Sequence, residues 1–147
     1  METNTERLKV GDIILIENFD MQHIGDIEKD IWAVYMGMDS FLDYPVLVYF
    51  CRATTQKRNF KKNCIEFPEG KYEKYGFKKP CLLDLNEKPY KVEKEKFNTY
   101  NITKIDKERL PKDIIIRIVD VCLKEYLSPA QLKNIKDSMS KVGINYK

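Results

Sequence analysis

The apolar residues change their spacing once along this chain, and that change limits the fold more than any other feature. Up to about residue 92 they come in short, β-branched runs bounded by turn signals, as strands do. Val10–Phe19 reads VGDIILIENF, with Gly11-Asp12 as the turn that opens it. Ile31–Met38 reads IWAVYMGM, and Val46–Arg52 reads VLVYFCR after Pro45. Cys64–Phe67, Cys81–Leu85 and Tyr90–Val92 are shorter runs of the same kind. Asp20–Asp30 is polar, contains Gly25 and reads as a loop. After Leu110 the spacing becomes helical: Ile114, Ile115, Ile118, Val119, Val121 and Cys122 share one wide face. Pro111 suits a first helical turn. Ser128-Pro129-Ala130-Gln131 has the form of a capping box that starts a second helix. The pattern predicts a mainly β (α+β) fold, a small barrel of roughly five to seven strands followed by C-terminal helices. The barrel would span about 10–100 and the helical part about 111–143, within one domain over 1–147.

At 147 residues the chain can bury a core without a disulfide or a structural metal. Cys51, Cys64, Cys81 and Cys122 have no Cys-x-x-Cys pair among them, and His23 is the single histidine. That composition predicts reduced, mostly buried thiols and no metal site or cofactor. No run is long enough for a transmembrane helix, and Met1–Lys9 lacks the apolar segment of a signal peptide, so a soluble cytoplasmic protein is expected.

Charge is uneven. The net is +3, yet residues 1–50 hold three basic against ten acidic side chains, and 51–147 hold 23 basic against 13 acidic. Between Gln56 and Lys79 lie Lys57, Arg58, Lys61, Lys62, Lys71, Lys74, Lys78 and Lys79, opposed only by Glu66, Glu69 and Glu73. Phe60, Phe67, Tyr72, Tyr75 and Phe77 are interleaved. Cations neutralise phosphates and rings stack on bases, so this stretch is a candidate RNA-binding segment, with Gln56, Lys57, Arg58, Lys61 and Lys62 at its head. A solvated lysine-rich loop would have the same composition. No Walker loop, GxGxxG, GxSxG or HExxH is present. The third run ends Arg52-Ala53-Thr54-Thr55-Gln56, which puts two hydroxyls where an apolar strand meets a basic loop. Such groups can hold a phosphate or a ribose hydroxyl, although threonine is also an ordinary strand residue. Trp32 and Tyr35 alternate within a strand and read as core.

The order of these segments resembles the MazF/PemK-like (Kid-like) toxins. Gly11-Asp12 with its aliphatic run resembles their first strand, Ala33-Val34-Tyr35 their second, and Val46–Gln56, ending Ala53-Thr54-Thr55-Gln56, their third. Phe77–Val92 resembles their later Gly-loop and aliphatic strand, and a helix follows in both. The resemblance covers about 10–125. It implies an SH3-like barrel, usually homodimeric, and a metal-independent endoribonuclease that cuts single-stranded RNA. It also implies an antitoxin partner, a protein in the family proper and a structured RNA in relatives. The catalytic Thr of the family falls on Thr54, with Thr55 beside it. The family Arg at the start of the second strand is replaced, since Ile31-Trp32-Ala33 stands there. Lys29 is then the expected cation, with Arg52 and Lys57 in reserve, and His23 is a candidate proton carrier. A non-catalytic SH3-like module that binds RNA or a protein is the alternative.

Overall fold

The computed structural model describes residues 3–21, 27–39, 46–55 and 63–146. Its seven strands are β1 Ile13–Met21, β2 Ile27–Met38, β3 Leu47–Thr54, β4 Cys64–Phe67, β5 Cys81–Asp84, β6 Tyr90–Glu93 and β7 Ile102–Lys104. They form one antiparallel sheet in the order β4-β5-β3-β2-β1-β7. A second ladder runs along β3, where β6 pairs with Leu47–Phe50 and β5 takes over at Ala53–Thr54. Among the described residues no ladder joins β4 to β7, so these are the edges of the sheet.

The central strands are apolar on both parities over residues 13–16, 31–36 and 47–51 because both faces of the sheet are covered there. Ile13, Val34, Met36, Tyr49 and Cys51 belong to one core cluster. Ile14, Ile16, Ile31, Ala33, Tyr35, Val48 and Phe50 belong to the other. The first face is closed by the C-terminal helices: α3 Lys112–Ile118, a π turn over Val119–Leu123, α4 Lys124–Tyr126 and α5 Pro129–Ser140. Ile115, Ile118, Val119, Leu123, Ile135 and Met139 fill it. The second face gains Leu8, Phe97 and Ile102. Here α1 Asn4–Arg7 and α2 Lys94–Phe97 are stitched together, with Asn4 Nδ2 donating to the Phe97 and Tyr100 carbonyls at 3.0 and 2.9 Å.

The helix start at Ser128 follows the sequence expectation. Its hydroxyl accepts the Gln131 N–H at 3.2 Å, and Gln131 Oε1 accepts the Ser128 N–H at 2.9 Å. α5 can lie close to β2 because Gly37, at a register shift in β2, has φ +117 and no side chain. A Cβ there would stand 2.7 Å from Ser138 Oγ. Asp39 holds the same junction, accepting from Tyr49 Oη and Asn134 Nδ2, both at 2.8 Å. Buried Asp12 ties the opening turn to the return from β7. It accepts the Lys9 N–H at 2.7 Å and Arg109 Nε at 3.2 Å.

One expectation fails. Asp20–Asp30 is not a loop throughout, because β1 runs on to Met21 and β2 begins at Ile27. Glu28, Lys29 and Asp30 are exposed, so this end of the hairpin carries no alternating apolar signal. Its ladder hydrogen bonds and the bond from the Asn18 N–H to Asp30 Oδ1, at 2.9 Å, hold it extended. Asn18 sits at φ 51 in the accompanying register shift. β7 was not legible either: it is three residues long and is defined by its pairing with Ile14–Ile16.

Candidate nucleic-acid interface

The end of β3 is where the chemistry of the sequence gathers. Trp32 on β2 lies opposite Ala53 on β3, and Ala53 lies opposite Leu83 on β5. Ala53 is small, so a space remains between the indole and the segment that enters β5. That segment is placed by a 3-10 turn over Tyr72–Tyr75, ended by Gly76 in the left-handed region. The turn sends Phe77 inward, where it packs at 5.0 Å from Phe67 and 6.0 Å from Trp32 between ring centroids. Lys78 and Lys79 follow, both exposed.

The result is a pocket of about 130 Å³ lined by Trp32, Ala53, Thr55, Phe77, Lys78, Lys79 and Cys81. Its walls are apolar and its rim carries two ammonium groups and a hydroxyl. Burial pushes the Cys81 thiol up to about 11, so it stays protonated at neutral pH and serves as wall. A wider groove of about 440 Å³ shares Thr55 and Cys81 and continues past Glu66, Phe67, Pro68, Glu69, Pro80 and Leu82. Two exposed carboxylates on the groove side and two lysines on the pocket side give the site a polarity.

Of the hydroxyls expected to act together, Thr55 is exposed and lines both spaces. Thr54 is half-buried, pairs with Leu82 and lines neither. Lys29 is exposed on β2 opposite Phe19 and also lines neither. Continuing the register of Trp32 with Ala53 puts Ile31 beside Thr54 and Lys29 two positions beyond, on the same face as Ile31. Arg52 is not presented to the pocket. Its side chain is 10% exposed and pairs with Glu87 at 3.5 Å, while its Nε has no hydrogen-bond partner among the described residues. Tyr35 is core, as expected, and burial raises its phenol far above the usual range. Gln56, Lys57, Arg58, Lys61, Lys62 and His23 lie outside the described residues.

The residues that sequence reasoning undervalued are Trp32, Phe77, Lys78, Lys79 and Cys81. The interleaving of aromatics with lysines over 71–79 was the available signal. Only the β2–β3 pairing brings Trp32 to it. Among the described residues no three of His, Cys, Asp or Glu converge, and no helix is long and apolar enough to cross a membrane. No protein-family model matches the chain, no curated protein matches it, and no solved structure does.

Proposed function

We propose that this chain is a metal-independent endoribonuclease of the MazF/PemK-like kind that acts on single-stranded RNA at the open end of β3. One observation carries the reading: an aromatic wall, two lysines and a threonine hydroxyl line a single pocket at the end of the third strand. Rings take bases and ammonium groups take phosphates, whatever the sequence of the strand. The chemistry is attack by the ribose 2′-oxygen on the adjacent phosphorus. The P–O5′ bond breaks, a 2′,3′-cyclic phosphate forms, and the leaving oxygen takes up the proton to give a 5′-hydroxyl. Thr55, the hydroxyl that lines the pocket, orients the phosphate. Lys78 and Lys79 offset the charge that builds on the phosphorane, while Lys29, on the opposite face of the sheet, takes no part. A cognate antitoxin, a homodimer and a cytoplasmic location belong to the same reading.

The test is digestion of end-labelled RNA in EDTA, with product ends read by phosphatase and kinase treatment. Cyclic phosphate ends, and a loss of about 10²–10³ in rate for Thr55→Ala, are expected. Cleavage that requires metal, or a Thr55→Ala variant as fast as wild type, overturns the mechanism. A second reading, RNA binding without cleavage, is favoured by the Arg52–Glu87 pair, which keeps the nearest guanidinium from the pocket. An intact RNA that still binds decides for it.

A further inference from the structure

We infer that the pocket between Trp32 and the Phe77–Cys81 segment holds one unstacked nucleobase, with the phosphate of that nucleotide on Lys78 and Lys79. The inference rests on the proposal that the chain binds RNA, and it adds the part of the RNA that this pocket takes. The volume, about 130 Å³, suits a single planar ring system rather than a helix or a peptide segment. The walls exclude charge: Phe77 is buried, Ala53 is half-buried, and the Cys81 thiol is kept neutral by burial. Trp32 is half-buried and offers the indole to a stacked base. The tilt of 60° between Trp32 and Phe77 makes a corner instead of a closed aromatic stack, so a ring can enter against Trp32 with its edge toward Phe77.

The rim then selects what the ring is attached to. Two exposed lysines in succession call for an anion next to the ring. An apolar ligand would gain nothing from them, and a free phosphate would gain nothing from the indole. A nucleotide uses both. The side on which the phosphate lies also follows. Glu66 and Glu69 line the adjoining groove and repel phosphates there. The phosphate of the bound nucleotide therefore lies on the Lys78–Lys79 side. The pocket holds few groups that could read a base edge, so it tolerates different bases and discriminates against a missing one.

Trp32 is the single tryptophan of the chain, so its fluorescence reports on this wall alone. The experiment titrates the full chain with a short 2′-O-methyl oligonucleotide, which cannot be cut by 2′-oxygen attack. The same oligonucleotide is then used with one abasic residue moved through each position. Saturable quenching by the intact strand is expected. One abasic position should remove most of the quenching and weaken binding about tenfold, with the other positions near neutral. Trp32→Ala, followed by anisotropy of a labelled strand, should lose about the same factor, and Trp32→Phe should recover most of it. Lys78→Ser with Lys79→Ser should weaken binding and flatten its salt dependence. Quenching that no abasic position changes, or Trp32→Ala that binds as wild type while circular dichroism shows it folded, overturns the inference. Cleavage is scored separately. A strand bound this way but never cut as RNA removes the nuclease reading alone, and RNA cut at the wild-type rate by Trp32→Ala removes this inference alone.

Discussion

Arg52 and Glu87 stand 3.5 Å apart and join β3 to the turn that follows β5. The arginine that in sequence belongs to a reactive-looking strand end is therefore used inside the protein. Replacing Glu87 with Ala leaves the guanidinium, 10% exposed, without its counter-charge. The expected cost is about 1–3 kcal/mol, less than for a fully buried pair because Glu87 is 27% exposed. Urea unfolding of Glu87→Ala and of Arg52→Met with Glu87→Met measures it. The double apolar variant should lie closer to wild type than the single one.

Gly37 should not tolerate a side chain. Gly37→Ala must place a methyl 2.7 Å from Ser138 Oγ while keeping φ at +117. A loss of about 1–3 kcal/mol is expected. Because the clash lies between β2 and α5, Gly37→Ala with Ser138→Gly should recover part of the loss and leave the backbone strain. Thermal unfolding of Gly37→Ala, of Ser138→Gly alone and of the double variant separates the two contributions.

Asp12 is 4% exposed and holds the Lys9 N–H and Arg109 together. Asp12→Ala removes the acceptor of the Lys9 N–H and the shared counter-charge of Arg109 and Lys104, whose side chains are 39% and 41% exposed and can turn to water. The predicted cost is about 1–3 kcal/mol. Arg109→Ala should cost less than Asp12→Ala, and denaturant midpoints test the order.

Cys81 should react slowly with iodoacetamide despite lining two open spaces. Burial raises its thiol to about 11, so at pH 8 little thiolate is present. The rate should climb about tenfold per pH unit and level off only near that value. Mass spectrometry of the Cys81 peptide after timed alkylation follows it. A bound oligonucleotide should slow it further.

Binding of RNA should fall as salt rises, and the slope should drop by about one to two when Lys78 and Lys79 become Ser. Glu66→Gln with Glu69→Gln should raise affinity at low salt and steepen nothing, since no phosphate contact is added there. Anisotropy titrations at several salt concentrations measure both.

Periodicity is a property of neighbours in the chain, and everything it governs was readable without a structure. The apolar runs that became β1 to β6, the helical face from Ile114 to Cys122, and the Ser128 cap are all written within a few residues of themselves. So was the concentration of lysines and rings over 56–79. The exposed end of the β1–β2 hairpin and the three-residue β7 were not, since pairing rather than composition makes them strands. The site is a matter of pairing as well. Register places Trp32 across from Ala53, so a side chain that read as core became the wall of a pocket. The sheet keeps Thr54 paired with Leu82 and leaves Thr55 at the mouth of both spaces, a difference that one residue of sequence cannot express. Glu87 lies 35 residues from Arg52, and only the packing of β3 against the turn after β5 turns that guanidinium from a candidate for substrate into an internal ion pair. Local free energies fix which segments extend or coil. Contacts between segments distant in sequence fix which polar groups remain to meet a ligand.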